Sequence, residues 1–259
     1  MLPEMDKKEA TLLVDNSNSR TKFALAVQGG RDEFAIRTMA TARLAPASVR
    51  HLLRDWEYGH VCLSSVVPEA CEVLMETFAG IPVSRVRAEL APSLFSGYGG
   101  KKTLGEDRIA NVLAVADMAT RPVVAVDMGT AVTFDVVCPG PHFMGGIIAP
   151  GLQMMADSLH GGTSLLPALK MGDPPLKRIG ANTEDAMQAG VWLAFCGMVR
   201  ETLQALAQEL GTRPYAVATG GNAAAVLSCI PELDAADEHL TLRGIAKAAA
   251  LSSRFFSKH

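Results

Sequence analysis

The chain has 259 residues, 49% hydrophobic and 20% charged, with a formal net charge of −3. That balance excludes a largely disordered chain and leaves no electrostatic reason to expect nucleic acid. No apolar run reaches the roughly eighteen residues of a membrane helix, and the five cysteines and six histidines lack metal-ligand or C-x-x-C spacing, so the thiols read as buried apolar residues.

Residues 1–9 read as a frayed tail too charged for a signal peptide, and a cytoplasmic location is expected. Segments 11–14, 21–27 and 33–37 read as strands, with "QGGRD" at 28–32 as a hairpin turn. Between the first two strands, Asp15 to Ser19 are all polar, whereas a tight hairpin needs only two turn residues. The segment is therefore either a turn that holds a ligand or a wide surface loop. A helix is expected over 46–56, a buried strand over 60–69, a helix over 70–78, and another over 107–118 with Ile109, Val112, Leu113 and Ala116 at core-facing spacing.

After the turn-rich 119–122, the stretch 123–137 again reads strand, acidic turn, strand. D-N-S-N-S at 15–19 aligns with D-M-G-T-A at 127–131, a weak internal repeat. It suggests two copies of one supersecondary unit, hence two similar domains, 1–118 and 119–259, facing across a cleft; a chance match of two short polar turns is the alternative. Helices are expected over 153–160, 182–195, 197–211 and 242–255, and a strand over 215–219.

Four turns of small residues, 15–19, 127–130, 145–151 and 219–221, flank apolar strands. Backbone amides in such turns can point at phosphate oxygens, and glycine lets the main chain approach. Neither a Walker A motif nor G-x-G-x-x-G is present. Acidic residues at two phosphate turns would serve a metal, since Mg²⁺ takes one or two carboxylates while bridging phosphates. In "GEDR" at 105–108, Asp107 opens a predicted helix, as a proton acceptor or as an N-cap, and Arg108 can pair bidentately with a carboxylate.

With "DNSNSRTKF" at 15–23, "SSVVPE" at 64–69, "YGGKKTLGEDRIANVLA" at 98–114, "VVAVDMGTAVTFDVV" at 123–137, "GGIIAPGL" at 145–152, "IGANTEDAMQAG" at 179–190 and "ATGGNA" at 218–223, in that order, the chain resembles the type III pantothenate kinases of the actin-like ATPase superfamily. The resemblance implies an α/β fold of two actin-like (ribonuclease H-like) domains facing across a nucleotide cleft. It also implies ATP-dependent phosphorylation of pantothenate, the first step of coenzyme A synthesis, with Mg²⁺, a monovalent cation (K⁺ or NH₄⁺) and a homodimer. It makes Asp15, with Asn18, Ser19 and Lys22, the first phosphate turn, Asp15 meeting Mg²⁺ directly or through water. Gly129 and Thr130 fall in the second phosphate turn, with Asp127 at the monovalent-cation position, and Thr219, Gly220 and Gly221 in the adenosine-side turn. Tyr98, Gly105, Asp107, Arg108 and Thr183 fall at substrate positions, Asp107 as the base and Arg108 on the pantothenate carboxylate.

Two positions depart from the family pattern: Ser17 stands where members carry Gly, and Lys101 where they usually carry Pro. A Cβ at Ser17 would cost about 1–2 kcal/mol if the turn needed a positive φ. The alternatives are a degenerate member acting as a regulatory binding protein and a superfamily kinase with another small-molecule substrate. The retained Asp15, Asp107, Arg108 and Asp127 favour catalysis, and an Arg placed to grip a carboxylate favours pantothenate. Met187, Val191, Leu193, Phe195, Met198 and Val199 make a wide apolar surface, expected at a two-fold interface or, alternatively, packed on the second domain's own sheet.

Overall fold

The computed structural model describes residues 10–26, 34–221 and 223–256. The tail at 1–9, the turn at 28–32 and Asn222 of the last motif lie outside the described residues. Strand β1 (Thr11–Asn16) runs through Asp15 and Asn16, which pair with Lys22 and Thr21 of β2 (Arg20–Ala26). The expected five-residue polar turn therefore shrinks to 17–19. The Asn16 amide donates to Thr21 Oγ1 at 2.8 Å, which keeps the ladder closed to its end.

β3 (Ala35–Ala40) pairs antiparallel with β2. Helix α1 (Pro46–Leu52) then leads to β4 (His60–Ser65), α2 (Pro68–Thr77) and β5 (Val83–Arg85). The sheet order is β3-β2-β1-β4-β5, with β1, β4 and β5 parallel. On one face, Leu12, Val14, Phe23 and Leu63 pack with Val49 and Leu53 from the α1 segment and Leu74 and Phe78 from the α2 segment. Proline at the start of α1 and of α2 suits a position whose N–H would have no helical partner.

Helix α3 (Glu106–Val115) lies against β4. The second sheet contains β6 (Val123–Met128), β7 (Ala131–Cys138) and β8 (His142–Pro150), followed by α4 (Leu152–Gly161) and α5 (Thr183–Leu210). β9 (Tyr215–Thr219), α6 (Ala223–Leu227) and β10 (Ala235–Ala236) complete it, and α7 (Leu240–Phe256) ends the described chain. The order β10-β9-β6-β7-β8, with β6 parallel to β9 and antiparallel to β7, repeats the pattern of the first sheet. Asp15 and Asp127 hold equivalent places, each the second-to-last residue of the strand that joins the antiparallel to the parallel half of its sheet.

Contacts divide the chain into two units, one of the described residues up to Asp117 together with those from Leu240 onward, the other Met118–His239. The division at 117/118 lies one residue from the expected boundary, but α7, assigned from the sequence to the second domain, packs on α3, β1 and β4 of the first. Gly244 permits the crossing, because a Cβ there would overlap the Ala110 carbonyl. Thr241 Oγ1 donates to Asn111 Oδ1 at 2.9 Å, and Lys247 Nζ donates to the Leu113 and Ala114 carbonyls at 3.1 and 3.0 Å.

In the second unit the two helices expected over 182–211 are one, α5. A glycine inside a helix costs about 1 kcal/mol relative to alanine, and Gly197 is carried by a buried stripe of Val191, Phe195, Val199, Leu203 and Leu206 packed on the sheet. The stripe belongs to the core: Met187, Val191, Phe195 and Val199 are buried and Met198 partly so, leaving Leu193 at 42% exposure from the expected apolar surface. Exposed apolar side chains stand instead on β8, α4 and the segment after it, among them Met144, Ile148 (63% exposed), Met154, Leu165 (92%) and Ile179 (87%). Among the described residues no helix is long and apolar enough to cross a membrane.

Candidate functional site

In open α/β sheets ligands gather at the carboxyl ends of the parallel strands, and the charged positions singled out from the sequence lie there in both units. In the first unit, Asp15 is buried near the end of β1 and sits beside Ser64 of β4. The Lys22 ammonium approaches to 3.9 Å. Lys22 is a strand residue of β2, whereas Asn18 and Ser19 are exposed in the turn. Ser17 contributes its own bond, its hydroxyl donating to the Arg20 carbonyl at 2.9 Å, and its carbonyl accepts Thr41 Oγ1 at 2.7 Å.

A buried polar chain runs back from this turn. The Thr41 and Thr21 hydroxyls are 3.1 Å apart, Asn16 Nδ2 donates to Thr21 Oγ1, and Ser65 Oγ donates to Asn16 Oδ1 at 2.6 Å. Ser65, at the end of β4, also gives its backbone N–H to Glu106 Oε2 at 2.9 Å. Arg85, at the end of β5, meets the same carboxylate through Nε at 3.1 Å and Nη2 at 2.8 Å. These contacts pin the first turn of α3 over the ends of β4 and β5.

That turn presents Asp107 and Arg108. Asp107 is the second residue of α3, not the N-cap expected as one of its readings; the cap is Gly105, which has no side-chain bond to offer. Asp107 Oδ1 accepts the Arg108 N–H at 2.7 Å, and a Cβ on Gly105 would stand 2.5 Å from that oxygen. Glycine at 105 therefore leaves room for the carboxylate. Burial pushes the Asp107 carboxyl above its ordinary range, opposed by the Arg108 N–H and the Arg108 charge. Burial also raises Glu106, opposed by the Ser65 N–H and Arg85. Beside α3 a cavity of about 410 Å³ is lined by Arg87, Lys101, Lys102, Gly105 and Glu106 among others, so three cations border it. Tyr98 lies half-buried, with its ring against Gly100.

In the second unit, Asp127, Gly129, Thr130, Thr219 and Gly220 come together at the ends of β6 and β9. Asp127 lies beside Thr219 in the ladder. Gly220, at φ +94°, passes so close that a Cβ would lie 2.7 Å from the Met128 carbonyl and 3.0 Å from Asp127 Oδ1. Gly221 is exposed beside it. The expected glycine turn at 145–151 is strand β8 except for Gly151. Gly151 donates its N–H to the Thr130 carbonyl at 3.1 Å, and a Cβ there would strike that carbonyl. Thr183 is exposed as the first residue of α5, whose N-cap Asn182 accepts the Asp185 N–H at 2.9 Å.

Among the described residues no three His, Cys, Asp or Glu side chains are grouped for a metal. An ion carried on ATP phosphates needs only one or two carboxylates, and Asp15 or Asp127 fits that requirement. Glu106, Arg85, Asn16 and Ser65 were not singled out from the sequence. Glu106 lies inside "GEDR" and Asn16 and Ser65 inside quoted motifs, but the partnership with Arg85 carries no local signal.

The sequence model that matches this chain, over residues 11–205, is that of type III pantothenate kinase. A protein of that name from Akkermansia muciniphila is 38% identical over 93% of this chain and 98% of its own length. Another from Methylacidiphilum infernorum is 35% identical over 90% and 86%. Among solved structures, a Baf family transcriptional activator from Campylobacter jejuni superposes with a TM-score of 0.57 at 19% identity, covering 94% of this chain and 99% of that one. MreB 5 of Spiroplasma citri, bound to AMPPNP, superposes with a TM-score of 0.51 at 11% identity over 96% and 97%. These two likenesses concern the fold.

Proposed function

The chain belongs to the type III pantothenate kinase family, with an actin-like α/β fold, and phosphorylates pantothenate with ATP in coenzyme A synthesis; from that premise we propose which residues carry the reaction. Asp107 accepts the proton of the attacking hydroxyl, Arg108 holds the pantothenate carboxylate, and Gly105 and Tyr98 complete the substrate position. The observation that carries this reading is a half-buried carboxylate, next in the chain to an arginine at the start of α3, for which glycine at 105 leaves room. Phosphoryl transfer asks mainly for positioning, charge neutralisation and a proton acceptor of this kind. Arg87, Lys101 and Lys102 along the adjoining cavity favour an anionic substrate.

Asn18, Ser19 and Lys22 take the phosphate side of ATP with Asp15, Gly129 and Thr130 the second phosphate turn, and Thr219 to Gly221 the adenosine side. Asp15 would hold Mg²⁺, directly or through water, and Asp127 a monovalent cation; these ions supply positive charge against the phosphates. The exposed apolar side chains of β8, α4 and the segment after it support a homodimer, in which Thr183 of one subunit serves the substrate site of the other. The reaction is assigned to the cytoplasm. A coupled assay of ADP release tests the set: release should depend on pantothenate and Mg²⁺ and rise with K⁺ or NH₄⁺. Equal release with and without pantothenate would reject it.

A further inference from the structure

Glu106 occupies the unspecified position of G-x-D-R. Its carboxylate holds the Ser65 N–H at 2.9 Å and Arg85 at 3.1 and 2.8 Å, and its side chain is 12% exposed. Ser65 and Arg85 are the last residues of β4 and β5, two parallel strands whose carboxyl ends form a fixed edge. The next two residues after Glu106 are Asp107 and Arg108, and α3 has no side-chain cap of its own to set where its first turn begins. Glu106 thus binds this turn to the sheet through its own side chain. Ser65 continues the connection through Asn16, Thr21 and Thr41 to the carbonyl of Ser17.

We propose that Glu106, clamped between the Ser65 N–H and Arg85, is a positioning residue that sets Asp107 and Arg108 for phosphoryl transfer. The proposal rests on the roles assigned to those two residues above. A carboxylate in this place keeps three directed contacts, and each constrains the turn from the sheet side. Displacing a reacting group by about 1 Å can cost on the order of a hundredfold in rate, so a loosened turn should be read in catalysis more than in folding. Removing one partner of a poorly exposed charge pair also destabilises, whereas removing both charges need not. That difference separates positioning from mere support.

The experiment compares Glu106→Gln, Arg85→Met and the double variant in the full-length enzyme, with kcat, KM for pantothenate and for ATP, calorimetric pantothenate affinity, and melting temperature. Glu106→Gln keeps an acceptor for Ser65 but loses the charge for Arg85. It should lower kcat/KM for pantothenate by roughly tenfold to a hundredfold, with KM for ATP within about twofold. The double variant should recover the melting temperature and not the turnover. Recovery of both, or a Glu106→Gln enzyme with wild-type kcat/KM, would overturn the proposal. In an Asp107→Asn background, Glu106→Gln should lower kcat no further, because it acts through Asp107; a second, additive loss would overturn it. If Asp107→Asn alone leaves turnover intact, the base assignment fails, and the Glu106 proposal then stands or falls on affinity. Glu106→Gln should weaken pantothenate binding in the enzyme with Arg108 and have no effect once Arg108→Ala is present, and equal weakening in both would overturn it.

Discussion

Asp107→Asn separates chemistry from folding at one atom. The amide keeps the shape of the carboxylate, and its oxygen can still accept the Arg108 N–H now 2.7 Å from Oδ1. What disappears is the ability to take a proton, worth about 10²–10⁴ in rate for a general base, or roughly 3–5 kcal/mol on the barrier at 1.36 kcal/mol per decade. Stability should move the other way. Burial raises the folded-state pKa of Asp107 above the ordinary 3.8, so the folded protein binds this proton more tightly than the unfolded chain. The ionised group then opposes folding in full above the raised pKa, in part between that value and 3.8, and not at all below 3.8. Asp107→Asn should therefore melt above wild type at pH 7, with the gap narrowing towards pH 3.8. In the wild type, kcat/KM for pantothenate should fall on the acid side with an apparent pKa above the ordinary carboxylate value. The measurements are single-turnover phosphoryl transfer and scanning calorimetry across pH. Turnover within about threefold of wild type, far short of the decades a base supplies, would remove Asp107 from the chemistry, and a lower melting temperature at pH 7 would refute the account of its burial.

Arg108→Ala should raise KM for pantothenate roughly tenfold to a hundredfold, since a charge-assisted contact is worth about 1.5–3 kcal/mol, while KM for ATP holds; an unchanged pantothenate KM would place the carboxylate elsewhere. Gly220→Ala puts a Cβ 2.7 Å from the Met128 carbonyl at φ +94°. Left-handed strain of about 1–2 kcal/mol and overpacking of about 1–3 kcal/mol should lower the melting temperature by several degrees and raise KM for ATP, and a variant with native melting and native KM would contradict the geometry. Ile148, 63% exposed on β8, should tolerate Ile148→Glu in the monomer fold but lose the dimer, read by light scattering; a wild-type monomer mass, or an unaltered dimer in the variant, would refute the assigned interface.

Local order in the chain determined a good deal. β9 (Tyr215–Thr219) has its expected bounds, because a run of apolar residues closed by Gly220-Gly221 specifies both where it lies and where it stops. The aspartates of the aligned turns, Asp15 and Asp127, occupy equivalent strand positions, because the repeat copies a whole supersecondary unit. Family motifs in their full order carried the activity. Other features depended on partners remote in sequence. Asp15 and Asn16 read as turn residues from their polarity alone, yet Ser64, Ser65, Lys22 and Thr21 draw them into the ladder. Gly197 reads as a break until the sheet beneath α5 supplies enough burial to carry the helix through it.

The amino-acid order by itself therefore determined most of the strands and helices and the repeated unit, since both are written in short-range pattern and spacing, whereas 145–150 read as a turn and is strand β8. Tertiary structure alone decided that α7 returns to the first unit, through the close crossing at Gly244. It alone decided that the apolar stripe of α5 is core while Ile148 and Leu165 face outward. And it alone joined Glu106 to Arg85 and Ser65, 21 and 41 positions away. Such contacts follow from which strand ends and helix faces meet once the chain has folded, and no periodicity of neighbouring residues encodes that meeting.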